Sequence, residues 1–255
     1  MAASAQTCRK LAANHEGECV KNGKKERKVV LGVAAHSDDL DFGAFGTMAK
    51  LSHEGYECYY LILTDGSKGS RVKGMTPRRL AAIREKEQRN SASLIGAKGV
   101  FFLRHKDGEL VPDLALRREI VRYIRRLKPD IVITQDPTYM FSDRFVNHTD
   151  HRAAGTATID AVFPAARNPM TFPELSKRHG LEPHRVSQMY LTNMQSPNYA
   201  VDISKYIDLK IKALSMHKSQ GIGQHPEFVR EMSARLGKKW HYKHAETFFK
   251  VDFAI

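Results

Sequence analysis

The chain has 255 residues, 42% of them hydrophobic, enough to bury one sizeable core in a single α/β domain. No stretch approaches the ~20 apolar residues of a membrane span, and residues 1–10 lack the apolar run of a secretory signal, so no membrane partner is expected. The formal charge of +13 (pI 9.7) is spread, +4 on residues 1–28 and +9 on the rest; without zinc-finger spacing, an RNP-like aromatic motif or a heptad-linked basic region, it implies a solvated basic surface and no nucleic-acid partner.

Residues 1–27 are small, polar and charged without an apolar period, and are expected to form a mobile tail or a short appended helix. Residues 28–255 then read as one domain. The continuous apolar run 29–35 is expected to be a strand buried on both faces. A helix over 46–54 and a strand over 58–63 follow. Pro77 opens an amphipathic helix that runs to Leu94 and is closed by Gly96. A strand over 100–103, a helix over 114–127 ended by Pro129, and a strand over 131–134 complete the regular part. Strands are also read at 189–191 and 248–251, with helices over 205–219 and 226–235. This alternation implies a Rossmann-like, three-layer αβα fold around a mostly parallel sheet. Cys8, Cys19 and Cys58 are odd in number and lack C-x-x-C spacing, which argues against a disulfide framework or a thiolate zinc site and for a reducing cytoplasm.

Ligand sites in such sheets lie beyond the carboxyl ends of the strands. After the first strand stands His36-Ser37-Asp38-Asp39-Leu40-Asp41-Phe42-Gly43, and after the fourth Gln135-Asp136-Pro137, then Asn147-His148-Thr149-Asp150-His151 before a helix expected near Arg152. Neither loop carries the glycines that bring backbone N–H groups onto phosphate. An imidazole and three carboxylates would repel phosphate and suit a metal instead. Catalytic zinc takes three His or carboxylate ligands and leaves one position for water, whose pKa falls to about 7. Asp38 would point toward that position and could take the proton of the attacking water. Taken singly, Asp38, Asp39, Thr149 or Asp150 would be no more than helix caps; the pairing of two such clusters at the top of one sheet favours a metal site.

The chain resembles the LmbE-like, or PIG-L, deacetylases. Their signature H-P-D-D-x-E-x-x-x-G-G-T is matched by His36-Ser37-Asp38-Asp39-Leu40-Asp41-Phe42-Gly43-Ala44-Phe45-Gly46-Thr47, and H-P-D-H-x-x-x-G by His148-Thr149-Asp150-His151-Arg152-Ala153-Ala154-Gly155. Thr64-Asp65-Gly66, Arg84-Glu85-Lys86-Glu87, Asp107-Gly108-Glu109-Leu110 and His217-Lys218-Ser219-Gln220 are further matches. Ser37 and Thr149 replace the usual prolines, Asp41 the usual glutamate, and Phe45 a small residue; these departures bear on the substrate more than on the metal. The resemblance implies a zinc-dependent hydrolase of N-acetylated sugars or sugar conjugates, with one ion on His36, Asp39 and His151 (Fe²⁺ would fit the same ligands). It makes Asp38 the general base and then acid, His148 the group that steadies the oxyanion, and Arg84 and Asp107 holders of sugar hydroxyls. It also implies a homo-oligomer. Alternatives are an amidase for a thiol-conjugate or other non-sugar amide, a metal-dependent phosphoesterase, and a non-catalytic basic metal-binding protein. His217 is placed either near the site or as a helix-end cap.

Overall fold

The apolar run after Lys28 becomes β1 (Val29–Ala34), and its side chains divide by parity. Leu31 and Val33 enter one hydrophobic core, Val30 and Ala34 the other, as the two-residue period of a strand dictates. Every position is apolar because both faces are covered. The computed structural model describes residues 27–253 apart from Arg144, Asn193, Met194, Ile222 and Gln224; the expected tail lies outside the described residues except for Arg27.

From β1 the chain passes through two short helices, α1 (Asp39–Gly43) and α2 (Phe45–His53), to β2 (Glu57–Thr64). Next comes α3 (Pro77–Ser93), with Pro77 in its first turn and the Thr76 side chain accepting from Arg79 N. It is followed by β3 (Gly99–His105), then by α4 (Leu114–Leu127), which Asp113 caps by accepting from Leu116 N, and β4 (Ile131–Gln135). The remainder comprises α5 (Thr149–Asp160), α6 (Pro173–His179), β5 (Gln188–Thr192), β6 (Tyr199–Asp202), α7 (Ile207–Met216), α8 (Pro226–Lys238) and β7 (Ala245–Asp252).

The seven strands lie in the order β3-β2-β1-β4-β5-β7-β6. The first five run parallel, and β7 is antiparallel to both its neighbours. α4 and α5 pack one core through Leu116, Ile120, Ile124 and Ala157, while α2 and α7 pack the other through Phe45, Met48, Ile207 and Ala213. This is the expected three-layer αβα arrangement with a mostly parallel sheet. The irregular segment after α5 is fastened by Arg125, 1% exposed, whose guanidinium donates to the carbonyls of Ala165, Ala166, Asn168, Thr171 and Phe172. Among the described residues no helix is long and apolar enough to cross a membrane.

Differences from the sequence reading are shifted element ends and short elements that it did not name. The stretch read as a loop after β1 contains α1, a five-residue helix too short to show a period. α5 begins at Thr149 and not near Arg152, because the His148 side chain accepts the N–H of Asp150 and serves as its cap. α6 and β6 are additions, and α7 ends at Met216, where His217 turns out of the helix.

Candidate metal centre and active site

The strand order reverses at β1, which has β2 on one side and β4 on the other. The loops beyond the carboxyl ends of β1 and β4 therefore face each other across the switch point. Gly155 lets them close up: a Cβ there would fall 2.4 Å from the carbonyl oxygen of Gln135, so only glycine allows α5 this near to the end of β4. That approach carries His151, in the first turn of α5, toward His36.

Three donors converge. His36 Nδ1 lies 3.4 Å from Asp39 Oδ2 and 3.3 Å from His151 Nε2, and His151 Nε2 lies 3.1 Å from Asp39 Oδ1. Ligands at ~2.0–2.1 Å from a tetrahedral zinc stand about 3.3–3.4 Å apart, so this spacing fits such an ion. The outer atoms of each donor are held as well. His36 Nε2 is 3.1 Å from Asp107 Oδ1 and 3.2 Å from Asp150 Oδ2. His151 Nδ1 is 3.2 Å from Asn147 Oδ1, and Asp39 Oδ2 accepts from His36 N (2.7 Å) and Gln135 Nε2 (2.9 Å). Since carboxylate and amide oxygens only accept, these partners keep ring protons on His36 Nε2 and His151 Nδ1, so that an ion, by displacing the protons of the facing nitrogens, would meet their lone pairs.

The charge balance points the same way. Burial alone would lower His36, but Asp39, Asp107 and Asp150 outweigh it and raise it to about 12. His151 is also raised, against burial, chiefly by Asp39. Asp39 is held well below the carboxylate range by His151 and His36 although burial opposes this. The pocket is built around a positive charge, which a proton supplies when no metal does.

His148 approaches closely enough to compete for a ligand role, since one ring nitrogen from each of His36, His148 and His151 lies within 4.8 Å of the others. Its ring, however, is engaged differently: Nδ1 accepts the Asp150 N–H at 3.1 Å. The ring's pKa is lowered by burial and by His36, so it is neutral with its proton on Nε2. It therefore presents an N–H donor and not a lone pair.

Asp38 occupies a left-handed conformation, φ 92 and ψ −28, which costs a non-glycine residue ~1–3 kcal/mol and is characteristic of functional sites. Its N–H donates to Gln88 Oε1 (3.0 Å), and Arg84 Nη2 donates to its Oδ1 (3.3 Å) and to the Ser37 carbonyl (2.8 Å). Burial raises its carboxyl to about 6 against the pull of the Arg84 guanidinium. Together with Asp39 and His151 it lines a cavity of about 320 Å³ whose other walls include Phe42, Tyr139, Phe145, Met232 and Leu236.

All seven residues singled out from the sequence gather here, but on different sides. Arg84 is 4% exposed and sits over Gly66 (φ 59), donating to the Gly66 carbonyl, Ser37 and Asp38. Asp107 is held at about 2, since its His36 contact and the Lys68 N–H outweigh burial. Neither lines the cavity. Sequence reasoning passed over the roles of Gln135, Asn147 and Asp150, though all three stand in the loops it singled out. Asp150 accepts from Gly108 N and Leu110 N in addition to His36. His217 is fully buried behind the site, with Nε2 2.5 Å from Asp41 Oδ2.

Three donors spaced for an ion beside a buried carboxylate, at the switch point of a three-layer α/β sheet, make up the groups that a metal-dependent hydrolase needs. The family described as PIG-L, GlcNAc-PI de-N-acetylase, matches residues 31–162. The diacetylchitobiose deacetylase of Thermococcus kodakarensis is 34% identical over 227 residues, 86% of this chain and 81% of that protein. A probable N-acetyl-alpha-D-glucosaminyl L-malate deacetylase 2 of Bacillus anthracis is 28% identical over 236 residues, 90% and 97% of the two chains. The solved structure of N,N′-diacetylchitobiose deacetylase from Pyrococcus horikoshii, complexed with its inhibitor MPG, has a TM-score of 0.81 at 33% identity, covering 91% of this chain and 86% of that one. The chain belongs to the PIG-L family and is an amide hydrolase of the deacetylase type.

Proposed function

We propose that the chain is a zinc-dependent hydrolase that removes the acetyl group from the amide nitrogen of an N-acetylated sugar or sugar conjugate, with His36, Asp39 and His151 as the ligands. The reading rests on one observation above all: three donors spaced for a tetrahedral ion stand beside a buried, strained carboxylate outside that set of three. A purely structural ion would need no such neighbour. Zinc, when bound, supplies Lewis acidity and lowers the pKa of water at that face; Fe²⁺ suits the same donors.

The protein's own groups then divide the work. Asp38 takes the proton of the attacking water and returns it to the leaving amine nitrogen. His148 Nε2–H donates to the amide oxygen as negative charge develops there. Asp107 and Asp150 hold His36, Asn147 holds His151, Gln135 holds Asp39, and Arg84 steadies Asp38. On this reading Arg84 and Asp107 act through the residues they touch, although the resemblance alone assigns them to sugar hydroxyls.

The sugar class is supported by the names of the relatives, which act on diacetylchitobiose and on an N-acetylglucosaminyl malate. The test is release of acetate and a primary amine from N,N′-diacetylchitobiose, N-acetylglucosamine and N-acetylglucosaminyl malate by zinc-loaded protein. Absence of release from all three by protein holding one ion per chain would overturn the reading. The same proposal includes a homo-oligomer in the cytoplasm, and light scattering on the purified chain checks the first of these.

A further inference from the structure

Gln88 and the buried Asp41–His217 pair take no part in the chemistry described so far, yet they form a chain of hydrogen bonds that ends on Asp38. Asp38 N donates to Gln88 Oε1 at 3.0 Å, Gln88 Nε2 donates to Asp41 Oδ2 at 3.2 Å, and His217 Nε2 donates to the same oxygen at 2.5 Å. Gln88, Asp41 and His217 are all 0% exposed. Each link dictates the next. An N–H can only donate and a carboxylate can only accept, so the Gln88 amide has a single orientation that satisfies both ends. Among the described residues Asp41 Oδ1 and His217 Nδ1 have no hydrogen-bond partner, and the side-chain bonds the pair makes there lead toward Gln88 and Asp38.

The segment carrying His217 is itself anchored. Glu87, next to Gln88 on α3, accepts from Ser219 N (2.9 Å) and Ser219 Oγ (2.6 Å), and Gln220 Nε2 reaches the Gly69 carbonyl. α3 thus binds the turn after α7 with one residue and Asp38 with the next. A buried ion pair is a weak source of stability, and an apolar pair of the same volume often serves as well. What an apolar pair could not do is fix the direction of the Gln88 amide.

We propose that Gln88, Asp41 and His217 are positioning residues that hold Asp38 in its left-handed conformation, aimed at the attacking water. The proposal rests on the reading of Asp38 as the general base, so its test includes an arm that needs no turnover. That arm is amide hydrogen exchange of Asp38 in zinc-loaded protein, followed by NMR, with Val33 in β1 as the internal reference.

Gln88→Met and His217→Leu should each speed Asp38 exchange by roughly tenfold or more relative to Val33. His217→Gln, which can place an N–H where Nε2 stands, should restore slow exchange. In turnover of N,N′-diacetylchitobiose, Gln88→Met and His217→Leu should lower kcat by ~10–10² with KM and zinc content unchanged, the scale expected of a misplaced catalytic group. His217→Gln should recover most of that loss. In an Asp38→Asn background Gln88→Met should lower kcat no further, because the group it positions is already disabled. Unchanged Asp38 exchange in Gln88→Met, or an equal kcat loss in the Asp38→Asn background, would overturn the proposal. Wild type that hydrolyses no amide would overturn the proposed function, and the exchange arm would still decide the network.

Discussion

Asp38→Asn separates holding the ion from doing the chemistry. The substitution keeps the shape of the side chain, and asparagine is among the few residues that tolerate a φ of 92. Arg84 Nη2 can still donate to its Oδ1, the Gln88 contact is through the backbone, and none of the three metal donors changes. Folding and zinc content should therefore be retained. What disappears is a group able to accept a proton near neutral pH, and the surroundings offer no ready replacement. Asp39 Oδ2 is already taken by the His36 N–H and Gln135, while Asp107 and Asp150 are tied to the far side of the His36 ring. General acid–base catalysis is worth ~10²–10⁴ in rate. With no substitute base in reach, kcat should fall toward the upper part of that range, ~10³–10⁴, or about 4–5.5 kcal/mol of transition-state stabilisation. The assay combines elemental analysis, thermal melting and amine release from N,N′-diacetylchitobiose. A variant with full zinc content and turnover within tenfold of wild type would show that another group is the base.

Four further outcomes are expected. His148→Ala should lower kcat by ~10²–10³ and keep its zinc, whereas His151→Ala should lose both; the reverse pattern would exchange ligand and oxyanion donor. Arg84→Met should lower kcat with KM near the wild-type value, because Arg84 touches Asp38 and not the cavity; a raised KM at constant kcat would place it on the sugar. Zinc binding to metal-free protein at pH 7 should release at least one proton per ion and weaken as pH falls, since His36, raised to about 12, must surrender its Nδ1 proton; calorimetry in buffers of different ionisation enthalpy reads this, and zero release would contradict the site. The Cys58 thiol, pushed up to about 12 by burial, should resist iodoacetamide in the native protein at pH 8 and react once unfolded, as peptide mapping would report; prompt native labelling would contradict its packing.

The sheet was legible because burial on both faces leaves a plain mark: residues 29–35, 58–63 and 131–133 are apolar without interruption, and helices of readable period separate them. The proposed metal donors could be named from the sequence because His36, Asp39 and His151 stand in two compact motifs at strand ends. Less legible was everything that depends on tertiary contact between short elements. α1 has five residues and two aspartates in its first turn, which is loop composition. The start of α5 depends on a histidine acting as cap, an unusual choice that propensity ranks low. Arg84 and Asp107 illustrate the same limit in function. Their motifs mark them as site residues, but only the packing of α3 over Gly66 and of the β3 loop against His36 shows which neighbour each one faces.

The three histidines show how far roles depend on atoms remote from the reaction. Each ring turns one nitrogen toward the same small space, and one nitrogen from each lies within 4.8 Å of the others. What distinguishes them is the partner of the other nitrogen. Asp107 and Asp150 accept from His36, and Asn147 accepts from His151, so both rings keep a proton on the outward nitrogen and would offer lone pairs inward once an ion displaces the inward protons. The Asp150 N–H donates to His148 Nδ1, so that ring carries its proton on Nε2 and offers a hydrogen bond there. Asp150 thus serves both kinds: its carboxylate accepts from His36 and its amide donates to His148. In the roles proposed, one residue at the start of α5 sets a metal ligand and an oxyanion donor to opposite tautomers. That ties the spacing of His148, Asp150 and His151 to the chemistry, because a shift of the helix start by one position would move the N–H from His148 and the carboxylate from His36 together.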